Sequence, residues 1–315
     1  MRIFFCSDLH ASEKCWLKFL RAGTFYGADV IMVGGDITGK FVIPIVRVGS
    51  STWTTKYMGK TTTLTSAAEV EDLKRRVSYA GSYPTEMTED EFAAYDGNQA
   101  AIDSLFQTLV ADQIHRWIGL ADDRLAGSSV RCFVQGANDD YLVVDDYLRA
   151  SKRIEVPEGR VLDLAEYELL SVGYGNTTPW NCPRDISEEE LTVRIDTLAT
   201  SVRNMSRAIF NLHVPPVGSQ LDLAPRLDEE LRMVLSSSGA PEMVPVGSTA
   251  VRDAILRYQP MIGLHGHIHE SKGIRKLGST VIANPGSEYQ EGILNGLLVE
   301  LDPGKGVVRS QLVSG

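Results

Sequence analysis

The sequence has few cysteines and no long apolar run. Its 315 residues include four cysteines, at positions 6, 15, 132 and 182, with no Cys-x-x-Cys pair among them. We therefore expect reduced thiols and no disulfide framework. No stretch approaches the roughly 20 apolar residues that a membrane span requires, and the apolar start at residues 1–6 is too short for a signal peptide. We predict a cytoplasmic protein without membrane contact.

Positive charge is also scarce. The chain has 31 lysines and arginines against 41 aspartates and glutamates, a formal net charge of −10. This acidic balance argues against a broad electrostatic surface for long nucleic acid or an anionic membrane. A small phosphorylated substrate, held through metal ions, is compatible with it. The chain is long enough, and at 43% hydrophobic residues apolar enough, to bury a full core.

Five predicted strands end in polar residues that can bind metal ions. Buried apolar runs predict strands at residues 2–6, 29–33, 130–134, 208–210 and 260–264. A helix predicted at 12–26 joins the first two, and such a β–α–β unit places two strands in parallel. Ligands bind to open sheets of this kind at the carboxyl ends of the strands. We therefore expect the polar residues that follow these strands to meet.

The candidate ligands are carboxylates, an amide and imidazoles. They follow the five strands in chain order: Asp8 and His10, then Asp36, Asn138, His213, and the pair His267 and His269. A cluster of imidazoles at a strand end is unfavourable unless something coordinates it, although a solvated polar loop is the alternative. Oxygen and imidazole donors without thiolate suit Mn, Fe, Zn, Co or Ni. Seven ligands suit two ions that share a carboxylate, roughly 3.5–4 Å apart.

These ordered blocks resemble a known family. Asp8-Leu9-His10, Gly34-Gly35-Asp36-Ile37-Thr38-Gly39, Asn138-Asp139-Asp140, His213 and Gly266-His267-Ile268-His269 are similar to motifs of the calcineurin-like metallophosphoesterase superfamily. Segments 178–180, 213–216 and 284–287 look similar to its smaller bacterial and archaeal phosphodiesterase-like branch. The resemblance covers residues 2 to about 300 apart from two excursions. It implies an α/β fold, an αββα sandwich of two mixed β-sheets flanked by helices.

The resemblance also implies a division of the ligands between two divalent metal ions. The first ion would be bound by Asp8, His10 and His269, the second by Asn138, His213 and His267, and Asp36 would bridge both. Hydrolysis would use a metal-bridging hydroxide, with catalytic roles for Asp36, Asn138, His213 and His267. His265 falls outside the pattern, and we expect it to be a bystander.

The sequence departs from the family pattern around Asn138. The family usually has Gly-Asn where Ala137 precedes Asn138 here, and many members continue with a histidine that stabilises charge or protonates the leaving oxygen. Here that position is Asp139. A carboxylate acts as an acid only if burial or neighbouring charges raise its pKa, so we favour a structural acceptor or a group that orients a ligand. A phosphodiester, which carries less negative charge than a monoester, then becomes the more plausible substrate.

Two excursions interrupt the predicted organisation. We predict one metallophosphoesterase domain over residues 1–315, with an insertion at 40–97 and an excursion at 217–248. Helical patterns near 67–80 and 86–96 indicate a partly helical insertion, which would form a lid or a homo-oligomer contact. The excursion is predicted to contain one helix near 227–236. An amphipathic helix at 99–125 carries His115, which we expect to be a surface or packed histidine.

The favoured function is hydrolysis of small, nucleotide-like phosphodiesters. Arg184 could pair with phosphate and Trp180 could stack on a base, although a surface ion pair and a packing aromatic are the favoured interpretations of these two. The alternatives are a phosphomonoesterase, such as a protein phosphatase, and a non-catalytic scaffold that binds proteins through the insertion. Seven competent ligand residues weigh against the scaffold. The acidic balance weighs against a nuclease for long DNA or RNA.

Overall fold

Two six-stranded β-sheets face each other, and helices cover their outer faces. The computed structural model describes residues 1–315. The strands are β1 Arg2–Cys6, β2 Val30–Val33, β3 Val42–Arg47, β4 Trp53–Tyr57, β5 Lys60–Leu64, β6 Tyr83–Thr88, β7 Arg131–Val134, β8 Ile154–Glu155, β9 Arg160–Leu164, β10 Tyr167–Val172, β11 Gly175–Asn176, β12 Asp185–Ile186, β13 Ala208–Leu212, β14 Leu223–Pro225, β15 Met243–Pro245, β16 Ile262–Leu264, β17 Gly273–Leu277, β18 Thr280–Asn284, β19 Asn295–Asp302 and β20 Gly306–Ser314. The helices are α1 Glu13–Tyr26, α2 Ala67–Tyr79, α3 Glu89–Ala94, α4 Gln99–Arg124, α5 Val143–Leu148, α6 Glu188–Ala199 and α7 Thr249–Tyr258.

Each large sheet has parallel central strands, with antiparallel strands added at one edge of the first sheet and at both edges of the second. The first has the order β20-β19-β1-β2-β7-β8, in which β1, β2, β7 and β8 run parallel and β19 and β20 are antiparallel additions. The second has the order β17-β18-β16-β13-β10-β9, with four parallel central strands and one antiparallel strand at each edge. The predicted sandwich of two mixed sheets flanked by helices is confirmed.

Successive side chains of the central strands point to opposite faces of the sheet and therefore pack in different apolar layers. In β1, Ile3 and Phe5 belong to a core cluster between the sheets that includes Ile209 of β13. Phe4 belongs instead to a larger cluster with Trp16 of α1 and residues of α4, because successive side chains on a strand point to opposite faces. A third cluster packs α6 and α7 against the second sheet. The layers therefore run helices, sheet, sheet, helices.

Helix α1 begins directly after the first loop of the candidate site. Ser12 caps it, since its side chain accepts a hydrogen bond from the backbone N–H of Cys15, and Gly27 ends it with a φ of 59°. The Ser12 hydroxyl also donates to the carbonyl of Tyr79, at the end of α2 in the insertion, at 2.7 Å. The cap thus ties the insertion to the site loop. None of the helices combines the length and apolar character that crossing a membrane would require.

The insertion contains more strand than the sequence patterns predict. Helices α2 and α3 match the two expected helical segments, but β3 to β6 form a four-stranded sheet in the order β5-β4-β3-β6. This sheet has its own core, including Ile45, Trp53 and Leu73. Residues 50–66 are rich in serine and threonine and show no clear hydrophobic periodicity. They contain the β4–β5 hairpin, because β-branched side chains suit a pleated surface.

The helix predicted near 227–236 is wrong. An irregular hairpin occupies this region, with a β-bridge between Leu227 and Met233. The Asp228 carboxylate accepts hydrogen bonds from the backbone N–H groups of Glu230 and Arg232 and closes a turn in place of a helix. Aspartate side chains compete in this way with helical backbone bonds. Strands β14 and β15 pair antiparallel and complete the excursion.

Candidate metal centre

The loops that follow the central strands are tied together through their backbones. After β1 and β2, the N–H of Asp8 donates to the carbonyl of Gly35 at 2.9 Å, and the N–H of His10 donates to the carbonyl of Asp36 at 3.0 Å. The loop after β16, in the second sheet, joins them because the N–H of His267 donates to the Asp8 carboxylate, 3.0 Å from the nearer oxygen. Both sheets thus supply residues to one place.

Six of the seven predicted ligand residues form two groups of three. The ligand atoms in each group lie within 4.8 Å of one another: Asp8, His10 and His269 in the first, and Asp36, His213 and His267 in the second. His267 and His269 stand two positions apart on one loop and contribute to different groups. The first group has the members that the family resemblance implies, and His213 and His267 share the second as expected. Asp36 belongs here to the second group, whereas the resemblance places it between the two ions.

Asp36 lies between the two groups. Its Oδ2 is 3.2 Å from Nε2 of His213 in the second group and 4.0 Å from Nε2 of His10 in the first. Its Oδ1 accepts the backbone N–H of Asp139 at 3.1 Å, which brings the loop of Asn138 to the same place. A carboxylate in this position can serve both groups.

Several ligand atoms lack the partners that burial requires. Both ring nitrogens of His213 and Oδ1 of Asn138 are buried and make no hydrogen bond of acceptable geometry. The Nε2 atoms of His10 and His269 face each other at 3.1 Å. Buried polar atoms are unfavourable unless paired, and divalent metal ions would give these nitrogens and oxygens partners. The residues therefore fit metal ions of the kind that accept oxygen and imidazole donors.

Neighbouring groups orient two of the ligands. The Nδ1 atom of His10 lies 3.2 Å from the carbonyl of Thr38, a contact that assigns its proton to Nδ1 and leaves Nε2 as a free donor atom for a metal. The side-chain amide nitrogen of Asn138 donates to Asp185 at 3.4 Å, which leaves Oδ1 of that amide free. Asp185 also accepts the backbone N–H of Cys182 at 2.9 Å and is thereby fixed in its loop. No sequence motif marks Asp185.

Four of the eleven non-glycine residues with positive φ are predicted ligands. Asp8, His10, Asp36 and His267 have φ values of 58°, 40°, 51° and 65°, in the left-handed region that non-glycine residues rarely adopt. Each such residue costs on the order of 1–3 kcal/mol, and strain of this kind persists where the surrounding structure enforces it, often at functional sites. The fold holds four predicted ligands in unfavourable conformations, which is consistent with a functional role.

Comparisons with solved structures support the fold described above. No family model matches the sequence. An uncharacterised protein of Methanocaldococcus jannaschii is 29% identical over 128 residues, 40% of this chain and 51% of that protein, so the chain spans about half the length of this relative. The solved structure of TT1561 of Thermus thermophilus is 12% identical and has a TM-score of 0.54, with 100% of this chain and 97% of that chain covered. A second solved structure, 15% identical, has the same TM-score over 99% of this chain and 98% of its own.

The observed two-sheet sandwich is the fold that the sequence resemblance to the calcineurin-like metallophosphoesterases implies. The two-sheet sandwich and the ligands at the ends of its central strands carry the resemblance seen in the sequence. The solved structure of an archaeal phosphodiesterase also aligns, at 9% identity over 100% of both chains. Its TM-score of 0.38 is too low to support a conclusion about this chain.

Burial and mutual charge shift the pKa values of these ligand residues in opposite directions. Burial lowers the pKa of His267 to about 3, which favours the neutral imidazole that binds metals. Burial also opposes the charged form of His213, but the Asp36 carboxylate outweighs it and raises the pKa of that imidazole to about 9. The pKa of Asp36 is raised to about 7, mainly by burial and against the attraction of His213. Metal ions at these ligands would displace a proton from His213.

Asp139 is a paired carboxylate. Its Oδ2 lies 2.5 Å from Nζ of Lys40, and its Oδ1 accepts a hydrogen bond from the thiol of Cys182 at 2.9 Å. Burial opposes ionisation of Asp139, but the charges of Lys40 and His10 outweigh burial and hold its pKa below the ordinary value. Because the acid role requires a raised pKa, it does not fit Asp139. The contact with Lys40 has no signal in the sequence.

Arg184 and Trp180 differ from the interpretations that the sequence favours. Arg184 is not on the surface; its guanidinium is fully buried, with Nη1 2.6 Å from the Asp145 carboxylate and Nε donating to the carbonyl of Asp140. It is therefore committed to the protein and does not reach a phosphate. Trp180 does not pack, since it is 63% exposed on the loop that carries Cys182.

The remaining two histidines lie apart from the ligand groups. His265 is buried, and its Nδ1 contacts the carbonyl of Leu212 at 2.7 Å. This contact ties the loop after β16 to the strand end that precedes His213. His115 is exposed on α4, with its ring 5.1 Å from that of Tyr147.

Residues 284–289 form one side of the site. The hydroxyl of Ser287 donates to the carbonyl of Asp8 at 2.7 Å. The ring of Tyr289 lies 4.7 Å from that of His10 and 5.8 Å from that of His269. A mostly polar cavity of about 600 Å³ opens beside them. The sequence analysis singled out segment 284–287, which contains Ser287. It missed Tyr289 because the contact of Tyr289 with the imidazoles depends on tertiary packing.

Proposed function

We propose that this chain is a metal-dependent phosphoesterase that binds two divalent ions and hydrolyses phosphodiesters of small, nucleotide-like molecules. The observation that supports this proposal is the pair of three-residue ligand groups with Asp36 between them. Oxygen and imidazole donors in two adjacent groups suit a pair of ions that acts on a phosphoryl group. Mn, Fe, Zn, Co and Ni all accept this donor set.

The chain's own residues would hold and orient this centre. When bound, the two ions would activate a water molecule and neutralise charge on the phosphoryl oxygens. Asp36 would bind both, and Asn138 would offer the oxygen that its contact with Asp185 leaves free. The Thr38 carbonyl keeps the free nitrogen of His10 directed at the first group. Left-handed backbone conformations keep these side chains in place in advance of binding.

Two features of the surroundings favour a diester. The carboxylate of Asp139 lies within 4.8 Å of the ligand atoms of His10 and Asp36 and pairs with Lys40, so this side of the site offers no net positive charge to favour a dianion over a monoanion. The neighbouring cavity of about 600 Å³ has the size of typical small-molecule sites. A singly charged diester with a small polar organic group satisfies both conditions better than a doubly charged monoester.

The test is a phosphoester panel on purified protein loaded with each divalent metal, together with elemental analysis. We expect close to two ions per chain and hydrolysis of a chromogenic phosphodiester. His213→Ala should lose metal and reduce turnover to background, whereas His115→Ala, the same substitution at an exposed histidine, should behave as wild type. Wild-type turnover in His213→Ala would refute the assignment.

The same panel separates the rival functions. A chromogenic phosphomonoester measured beside the diester shows whether the chain is a monoesterase. A protein that binds no metal and hydrolyses neither ester in any of the five metals would support the scaffold, with the insertion at 40–97 as its binding surface.

A further inference from the structure

A single ion pair stands at the edge of the two ligand groups. Lys40 follows Asp36 in the loop between β2 and β3, and its ammonium contacts the Asp139 carboxylate at 2.5 Å. The backbone N–H of Asp139 in turn donates to Asp36. Both members of the ion pair are thus connected to Asp36. Lys40 lies in the same loop as Asp36, and the backbone N–H of Asp139 donates to the Asp36 carboxylate.

The ammonium of Lys40 retains unused hydrogen-bond donors. An ammonium has three N–H donors, and one carboxylate oxygen occupies one of them. The Lys40 side chain is 40% exposed, whereas that of Asp139 is 17% exposed. The second oxygen of Asp139 is already occupied by the Cys182 thiol. Lys40 therefore faces the solvent side of the pair with donors free, and Asp139 faces the protein.

The other basic groups around the site use more of their donors within the protein. Arg184 is fully buried and uses its guanidinium on Asp145 and on backbone carbonyls. Lys272, which borders the cavity beside His269, contacts Asn295 and Ser314 through its ammonium. Lys40 is the basic residue that combines proximity to Asp36 with free donors.

We propose that Lys40 binds a phosphoryl oxygen of the substrate, and that Asp139 fixes its position and offsets its charge so that the site prefers singly charged phosphodiesters. This inference rests on the proposed phosphoesterase function and names the residues that select its substrate class. Lys40 touches the substrate, while Asp139 acts through Lys40 as a positioning residue. Together the two side chains add donors to the site without adding net charge.

Charge arithmetic separates the two roles. Removal of Asp139 adds one positive unit beside the bound phosphoryl group, and a dianionic monoester gains about twice as much from it as a monoanionic diester. Removal of Lys40 leaves an uncompensated carboxylate, which repels the dianion more strongly. Lys40→Ala should therefore weaken the binding of both esters, whereas Asp139→Asn should shift the preference towards monoesters.

The experiment measures kcat and KM for a diester and a monoester that share one chromogenic leaving group, with the metal content of each variant as a control. Inorganic phosphate provides a direct binding readout, both as a competitive inhibitor and by calorimetry. The variants are Lys40→Ala, Lys40→Arg and Asp139→Asn. Lys56→Met, at an exposed lysine of β4 in the insertion, is the matched control.

We expect Lys40→Ala to weaken phosphate binding by about 10- to 100-fold, the effect of losing a charge-assisted hydrogen bond, at unchanged metal content. Lys40→Arg should recover most of that loss because it keeps the charge. Asp139→Asn should raise kcat/KM for the monoester relative to the diester by several-fold. Lys56→Met should change none of these quantities.

Two outcomes would overturn the inference while leaving the proposed function intact. One is an active wild-type enzyme in which Lys40→Ala binds phosphate as tightly as wild type. The other is an unchanged ester preference in a metal-loaded Asp139→Asn variant. Failure of the phosphoesterase function itself looks different, because the wild type would then hydrolyse no ester and bind no metal.

Discussion

Arg184 offers the sharpest test of how the Asn138 loop is held. Its fully buried guanidinium pairs with Asp145 at 2.6 Å, and it donates to the backbone carbonyls of Asp140 and Tyr141 on the turn that follows Asn138. Replacing it with methionine keeps much of the volume but leaves the carboxylate of Asp145, 8% exposed, without its cation. We predict that Arg184→Met is strongly destabilising.

The magnitude follows from the burial of both partners. Removing one member of a buried ion pair costs roughly 3–5 kcal/mol, because the remaining charge stays buried without compensation. Carbonyls that lose a hydrogen bond add to this, at about 1 kcal/mol each. Since folded proteins are stable by about 5–15 kcal/mol in total, the variant should retain only part of its free energy of unfolding.

Urea denaturation followed by tryptophan fluorescence measures this free energy directly. The matched control is Arg149→Met at the end of α5, which removes an exposed ion pair with Asp146 and should cost at most about 1 kcal/mol. The double variant Arg184→Met, Asp145→Leu should recover part of the loss, since it removes the unpaired charge as well. If Arg184→Met unfolds like wild type but raises KM for a phosphoester, then Arg184 binds substrate and our interpretation of the structure is wrong.

Three further predictions concern the metal centre and its surroundings. Chelation of divalent ions should lower the melting temperature, and saturation at about 100 times Kd should restore about 2.7 kcal/mol of stability for each ion bound; a melting temperature unaffected by chelator and metal would contradict a metal site. Asp185→Ala should weaken metal binding by about 10- to 100-fold, measured by calorimetry, because Asn138 loses the partner that orients its amide, and an unchanged affinity would remove Asp185 from the site. Trp180→Ala should raise KM for a dinucleotide without changing KM for an alkyl nitrophenyl diester; equal effects on both would exclude stacking on a base.

The ligand residues could be predicted because their positions follow from local sequence and one topological rule. Each candidate stands directly after an apolar run, and parallel strands bring their carboxyl ends to one edge of a sheet. This rule covers Asp8 and Asp36, which follow neighbouring strands of the first sheet. His213 follows a strand of the second sheet, and the family resemblance was needed to predict that it would meet Asp36. The structure adds the distance of 3.2 Å between Oδ2 of Asp36 and Nε2 of His213, which the sequence could not predict.

The excursions could not be predicted in this way because they have no strong periodicity. The Thr-rich hairpin of β4 and β5 acquires its structure from packing against β3 and α2, which lie on either side of it in sequence. The segment at 227–236 has helix-forming residues, but the Asp228 carboxylate closes a turn with them instead. Local propensity is decisive only where no side chain or tertiary contact offers the backbone an alternative.

Asp139 shows why a departure from a family pattern is hard to interpret without coordinates. Taken alone, a carboxylate at this position removes a proton donor and adds a repulsive charge. The structure shows that the charge is not alone, because Lys40 reaches it from the other end of the Asp36 loop. Two residues far apart in the sequence thus act as one group, and neither resembles a motif by itself. If the ester preference follows Asp139 and phosphate affinity follows Lys40, the substitution is a change of substrate selection and not a loss of catalytic function.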